Sequence, residues 1–278
     1  MNYKSTFRLA FLTTHVIQYQ AGLFRHLAAD PRIDLTVYFC SRAGAMKYDD
    51  HEFSTEIQWD RDLLSGYRHQ FLRNDFPLKH QQGFFQYSVP ELYSELRAGK
   101  FDALILPGYG WFVYLYAWWC ARKLNLPIML RGESQKLPHT KIGSVKECFK
   151  KIFLKKFFDG CSAFLTIGKV NEAFYRERYD IPQQKLFFCP YAVDNDFFFE
   201  QQRLLYPHRD KLRRAHGITE DQTVFLFVGK FISKKRPFDL IEAYLRMRNR
   251  QRAFLVFAGD GHLRKRIEED AKRRIPRG

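Results

Sequence analysis

The sequence predicts an α/β fold built on doubly wound parallel sheets. Three observations carry that expectation. Short apolar runs rich in β-branched and aromatic residues alternate with single helical segments, the pattern of parallel strands joined by crossover helices. Most of these runs end abruptly on turn residues, such as "LILPG", "FVGK" and "FAGDG". The alternation also breaks at a polar stretch near residue 190 and restarts at Val224, which predicts a second α/β domain.

Taken in order, Arg8 to Thr13 reads as the first strand. Ala21 to Ala29 reads as a helix that Asp30-Pro31 stops, and Ile33 to Cys40 as the second strand. Residues 42–82 are polar and irregular, with strands expected near Phe53 to Trp59 and His69 to Leu72. Pro90 to Ala98 is a short helix with proline in its first turn, and "FDALILPG" is a strand running into a turn. Helices over Trp111–Leu124 and Val145–Phe158 flank a strand at Pro127–Leu130, and Ala163–Ile167 is a further strand. The stretch Pro190–Gln222 reads as loose. Strand Val224–Val228, helix Pro237–Arg248, strand Phe254–Ala258 and helix Leu263–Arg273 follow. The expected domains are 1–190, a linker region 191–223, and 224–278. Two parallel strands bury too little to stand alone, so the second domain is expected to be incomplete at Gly278.

Apolar residues make up 46% of the 278, enough for a packed core and against wholesale disorder. The net charge of +16 favours an anionic partner, whether nucleic acid, an acidic bilayer or a phosphorylated ligand. Five cysteines (Cys40, Cys120, Cys148, Cys161, Cys189) show no metal-ligand spacing and read as reduced thiols of a cytosolic protein, with no zinc site. The run Leu9–Thr13 is too short for a secretory leader, and "WFVYLYAWWCA" reaches about half a bilayer span, so it reads as a buried helix.

Ligands of open α/β sheets bind beyond the carboxyl ends of the strands, so the strand ends hold the candidates. Gly229 and Lys230 end one strand, with Lys234, Lys235 and Arg236 close behind. Glycine lets a backbone approach a ligand, and lysines beside a helix start suit phosphate oxygens; the plainer alternative is a solvated basic turn. The next strand ends on Gly259-Asp260-Gly261, a ligand-facing turn or an ordinary β–α turn. At the first strand's end His15, Gln18 and Gly22 fall between strand and helix; His15 suits a phosphate or sugar hydroxyl, or caps local backbone. Arg131 and Glu133 in "MLRGESQ" would form an opposite-charge pair in the crevice, catalytic or structural. The helix "SVKECFKKIFLKKFF" has Val145, Phe149, Ile152, Phe153 and Phe157 on one side and lysines on the other. That pattern fits a core-packed helix with a solvated lysine face better than one lying on an anionic membrane. The aromatic and basic mixture Phe71–Phe85 belongs to no recognised nucleic-acid module, and nucleic acid is not an expected partner.

Val224–Met247 and "AFLVFAGDGHLRKRIEEDAK" together resemble the opening of the C-terminal domain of retaining glycosyltransferases of family 4, the glycosyl transferase group 1 enzymes. In that family a strand ends in Gly-Arg or Gly-Lys, a lysine follows five positions later, and the next strand ends in Gly-Asp-Gly. Here these positions are Lys230, Lys235 and Gly259 to Gly261. "THVIQYQAGLFRHLA" and "DLTVYF" are similar to the N-terminal domain. The resemblance implies a GT-B fold of two Rossmann-like domains facing a cleft. It also implies that the diphosphate of a nucleotide-sugar donor is held by Lys230 and Lys235 without a metal, and that the acceptor lies near His15–Gly22 and Arg131–Glu133. Several positions depart from the family. Only Gly22 stands for its two glycines in the first loop, Arg131 occupies a strand end often marked by histidine, and Tyr191-Ala192 replaces an Asn-Gly. The family's pair of glutamates eight apart would lie beyond Gly278, so a truncated chain is expected.

The function so implied is sugar transfer with retention, by a hexosyltransferase-type enzyme, from a nucleotide-sugar to a glycan or lipid-linked acceptor in polysaccharide or glycan synthesis. No cofactor is expected. The setting is cytoplasmic, with an anionic membrane surface as a further partner at its inner face. The alternative is a truncated, inactive remnant that binds an anionic ligand or membrane.

Overall fold

The computed structural model describes residues 6–50, 55–74, 83–135 and 145–275. The chain divides into two compact units, one of Met1–Met46 with Trp59–Val193, the other of Lys47–Gln58 with Asp194–Gly278.

The first unit holds a seven-stranded sheet of β1 (Phe7–Thr13), β2 (Ile33–Phe39), β5 (Arg68–Phe71), β6 (Ala103–Leu106), β7 (Ile128–Leu130), β8 (Ala163–Thr166) and β9 (Leu186–Phe188). The spatial order is β5-β2-β1-β6-β7-β8-β9, and every pairing is parallel. The strand order reverses between β1 and β6, where such sheets open a ligand crevice at their carboxyl ends. Five helices cross over: α1 (Gln18–Ala29), α2 (Leu92–Gly99), α3 (Phe112–Lys123), α4 (Val145–Asp159) and α5 (Lys169–Tyr179).

The expected α/β architecture is therefore present. β1 turns Phe11 and Leu9 to a core completed by Phe24 of α1, and Ala10 and Leu12 to the opposite core, shared with α2 to α5. A strand buried on both faces needs continuous apolar character, which "LAFL" supplies. Phe158 stands at the centre of the second core, with its ring 4.7 to 5.8 Å from those of Tyr109, Phe157, Phe164, Tyr175 and Tyr179.

The second unit contains β3 (Tyr48–Asp50) and β4 (Thr55–Ile57), which pair antiparallel, then α6 (Asn195–Leu205), α7 (Arg209–Ala215), β10 (Thr223–Val228), α8 (Pro237–Leu245), β11 (Ala253–Ala258) and α9 (Arg264–Arg274). β10 and β11 pair parallel along their full length. Phe231, Ile241 and Ile267 form the buried core beneath them. Pro237 opens α8 with a preset φ, directly after Arg236 in the left-handed region at φ 52°.

Some elements differ from the sequence expectation. The stretch 190–222 contains α6 and α7, and α5 and β9 were not foreseen. Asp194 caps α6 by accepting from the Phe197 amide at 3.2 Å, a signal present in the sequence. α1 begins at Gln18, three residues earlier than expected, because Gln20, Ala21 and Phe24 already form its buried face. On α4 the buried residues are Leu154, Phe157 and Phe158, while Phe149, Ile152 and Phe153 are exposed, so the expected packing of those three is wrong. Two apolar ridges compete on this helix, and the one nearer its end seats on α3 and α5. The side chains of Val145 and Lys146, and residues 75–82 of the aromatic-basic stretch, lie outside the described residues. Of the cysteines, Cys40, Cys120 and Cys161 are buried, and burial pushes the Cys120 thiol up to about 11.

Candidate functional site

In the second unit the two expected glycine turns lie side by side. Gly229, Gly259 and Gly261 have φ of 151°, 154° and 148°, a region that side-chain-bearing residues avoid. A Cβ at position 259 would stand 2.0 Å from the Gly229 carbonyl oxygen, so the turns approach closely only because glycine occupies it. Backbone bonds lock them together: the Gly229 amide donates to Ala258 at 3.0 Å, Phe231 to Asp260 at 2.8 Å, and Leu263 to Phe231 at 3.0 Å. The Asp260 carboxylate accepts from the Gly261 amide at 2.8 Å and from the Arg264 guanidinium at 2.7 Å. The Gly261 amide first, and the Arg264 guanidinium with it, hold Asp260 below the usual carboxylate range against the upward pull of burial. Asp260 thus fixes the turn. Lys230 is half-buried, and Lys234 and Lys235 are exposed in a short turn between β10 and α8. The strained Arg236 that follows aims the α8 N-terminus. Together the segment offers close backbone, lysine charge and a helix start, the three elements that suit a phosphate.

A groove of about 600 Å³ lies elsewhere in this unit, lined by residues of α8 and α9 including Phe238, Glu242, Arg266 and Asp270. Its charges are largely paired: Arg274 with Glu242 and Asp270, and Arg273 with Asp270. It is a surface cleft of paired charges.

In the first unit the strand ends assemble a different kind of site. Arg131 follows β7 directly and is 4% exposed. Its guanidinium donates to the Pro190 carbonyl at 3.1 Å and lies 4.5 Å from the Tyr191 ring centroid, while its buried Nε has no partner among the described residues. Glu133 is exposed and accepts from the Tyr191 hydroxyl at 2.6 Å. The ion pair expected between Arg131 and Glu133 is not formed; both residues engage Tyr191 instead. The Tyr19 ring meets Tyr191 edge-on at 5.3 Å. Burial, followed by the hydrogen bond to Glu133 and that residue's charge, raises the Tyr191 phenol well above its ordinary pKa of 10.0. Tyr19 is raised too, by burial first and then by Glu133. Both phenols are therefore neutral donors at neutral pH.

Beneath them, Asn171 holds the loop after β7, donating to the Ser134 carbonyl at 2.6 Å and accepting from the Ile167 amide at 3.2 Å. Tyr109 and Ser134 share a hydrogen bond at 2.7 Å. Sequence reasoning missed Tyr191, Tyr19 and Asn171. Tyr191 carried a signal as the aromatic at a position where small polar residues were expected.

Of the other expected residues, His15 does lie between β1 and α1, with Nδ1 2.9 Å from the Thr14 hydroxyl. Gln18 and Gly22 do not: Gln18 is the first residue of α1 and Gly22 lies within the helix. The buried polar partner at this strand end is Gln20, whose Oε1 accepts from the Thr13 hydroxyl at 3.4 Å. Gly44, at φ 81°, lets the loop after β2 pass so close that a Cβ there would meet the Val16 carbonyl at 2.2 Å. Among the described residues no cluster of three or more His, Cys, Asp or Glu has metal-holding geometry.

Residues 208–277 match the model of the family described as glycosyl transferases group 1. No curated protein matches the chain in sequence. Among solved structures, a glycosyltransferase from Rickettsia africae ESF-5 superposes with a TM-score of 0.63 at 11% identity, covering 98% of this chain and 65% of that one. Anabaena Alr3699/HepE, solved in complex with UDP and glucose, gives 0.56 at 12% identity, with 96% and 65% covered. A UDP-GlcNAc 2-epimerase from Neisseria meningitidis, bound to UDP-GlcNAc, gives 0.56 at 13% identity, with 96% and 68% covered. The chain thus spans just under two thirds of the length of the two structures first named. These likenesses show the fold, which a glycosyltransferase and an epimerase share. The family match falls on the segment that carries both glycine turns.

Proposed function

We propose that this chain is a glycosyltransferase of GT-B type that moves a sugar from a nucleotide-diphosphate donor to a glycan or lipid-linked acceptor. The observation that carries the reading is the pair of interlocked glycine turns flanked by Lys230 and Lys235, within the stretch that matches glycosyl transferases group 1. Gly229, Gly259 and Gly261 bring backbone against the diphosphate, Asp260 fixes the turn, and the two lysines neutralise its charge.

As the sugar–oxygen bond breaks, its electron pair stays on the diphosphate. Charge grows where Lys230 and Lys235 stand, which favours the transition state over the ground state. The acceptor oxygen bonds to the anomeric carbon, and its proton departs with the leaving diphosphate. With two lysines supplying the cations, the scheme asks for no metal and no cofactor. The chain from Val224 on serves the donor and residues 1–190 serve the acceptor. There His15 lines the approach, Glu133 orients the acceptor hydroxyl, and Arg131 supplies positive charge. Retention, a hexosyl donor, a role in polysaccharide synthesis and a cytoplasmic place at an anionic membrane face complete the proposal.

The test is to incubate the chain with a panel of nucleotide-sugars and glycan or lipid-linked acceptors, measure released nucleotide, and read the product anomer by NMR. Acceptor-dependent release with the donor's anomeric configuration kept is the expected result. Conversion of a UDP-sugar to its 2-epimer without acceptor would replace the proposal with an epimerase.

A further inference from the structure

Two neighbouring helices of the first unit turn large apolar side chains to solvent. On α4, packing is satisfied by Leu154, Phe157 and Phe158. Phe149, Ile152 and Phe153 occupy a separate ridge at i, i+3 and i+4 and are 69%, 62% and 52% exposed. Lys156 continues that ridge, Lys150 and Lys151 beside it are also exposed, and Lys155 is tied to Asp159.

On α3, Phe112, Tyr116 and Trp119 recur along the outer side, and Trp119 is 46% exposed. Their rings form a continuous run, with centroids 5.3 Å apart for Phe85–Phe112, 6.5 Å for Phe112–Tyr116, 6.0 Å for Tyr116–Trp119 and 6.1 Å for Trp119–Tyr93. The Lys123 ammonium lies 6.0 Å from the Trp119 centroid. The helices are packed together, since the Trp118 indole donates to the Phe157 carbonyl at 3.0 Å and its ring stacks on Phe157 at 5.6 Å.

Single exposed apolar residues need no explanation, but ridges on two adjacent helices do. We propose that the outer surface of α3 and α4 docks onto an anionic lipid bilayer. The charge argues for this occupant. Exposed ammonium groups border the ridges, in a chain of net charge +16, and suit acidic headgroups. A second copy seated symmetrically on the same face would set Lys150, Lys151 and Lys156 against their equals. The side chains also sort by depth: Phe149, Ile152 and Phe153 suit the acyl boundary, and Tyr116 and Trp119 the headgroup level. No helix among the described residues is long and apolar enough to cross a membrane, so the contact is one of lying on the surface. The inference names the face behind the membrane setting proposed above, and it does not depend on sugar transfer.

The experiment is co-sedimentation of the full chain with phosphatidylcholine vesicles made with and without phosphatidylglycerol. Binding only when phosphatidylglycerol is present, weakening with salt and moving tryptophan emission to the blue, is the expected result. The double variant F149S/F153S should lose at least about tenfold in vesicle affinity, since two inserted aromatic rings are removed. K150E/K151E should lose the preference for phosphatidylglycerol. Far-UV circular dichroism and melting temperature, unchanged in both, show that the fold persists.

Wild-type chain left in the supernatant, or F149S/F153S binding like wild type, overturns the proposal. So does a dimer that F149S/F153S converts to monomer without any vesicle binding, which would assign the face to a second copy. Nucleotide binding, measured on the same samples, separates failure here from failure of the transferase reading.

Discussion

β1 and β10 are both parallel strands that run into a candidate ligand turn, yet they are held in opposite ways. β1 lies between β2 and β6, and its last five residues are buried. β10 pairs with β11, and none of its six residues is buried; Val228, just before the glycine turn, is 73% exposed. The sites follow the strands. In the first unit, side chains anchored in a double-faced core do the positioning, and Arg131, Glu133, Tyr19 and Tyr191 meet only because β7, β9 and α1 are packed. In the second unit the turns hold one another through backbone hydrogen bonds and the absence of Cβ atoms. A side-chain site depends on the whole sheet, whereas a backbone site depends on a few glycines.

The difference can be broken from either side, and the core of the first unit offers the largest effect. Phe158→Ala removes a fully buried ring with five aromatic neighbours and should cost about 3–5 kcal/mol in urea denaturation. A cost below about 1 kcal/mol would mean that this core is not the support described.

Gly259→Ala comes next. The new methyl meets the Gly229 carbonyl and forces an unfavourable φ, a strain of about 1–3 kcal/mol. It should weaken nucleoside diphosphate binding about tenfold or more while leaving the first unit's stability alone. Binding unchanged in this variant would detach the ligand from the turns.

Tyr191→Phe removes one hydrogen bond to Glu133, worth about 1 kcal/mol, and keeps the ring under Arg131. It should lower transfer activity with little change in stability; an equal loss in both would make Tyr191 only structural.

The last effect is seen only at alkaline pH. Burial pushes the Tyr38, Tyr67 and Tyr87 phenols from 10.0 up to about 12. Their folded-state pKa values lie above the unfolded ones, so the neutral form is favoured by folding. That stability is complete below pH 10 and is lost as pH rises through about 12. Melting temperature should therefore fall across that window, and phenolate absorbance should appear late. A flat melting temperature with phenolate forming near 10 would contradict the burial of these rings.

Much of this was readable in the chain. The strands β1, β2, β6, β10 and β11 declare themselves as apolar runs, and the glycines after β6, β10 and β11 mark their turns because few other residues tolerate the required φ. The helices α5 and α6 were harder. α5 buries only Asn171, Phe174, Tyr175 and Tyr179, and its polar remainder looks like loop. β9 is three residues long, too short to show a period, and with it went the place of Tyr191. The link from Tyr191 to Glu133 spans 58 residues, a distance no local pattern encodes. α4 failed for another reason: its sequence offers two apolar ridges, and only the packed sheet decides which one is buried.

The central claim is that the interlocked glycine turns and their lysines hold a diphosphate. A calorimetric titration of the chain with UDP and other nucleoside diphosphates, repeated on Lys230→Ala/Lys235→Ala, tests it most directly. The account predicts binding in the wild-type chain and a loss of about a hundredfold in the double variant, near 1.4 kcal/mol for each lysine. Equal affinity in the two proteins, or no binding in either, would contradict it.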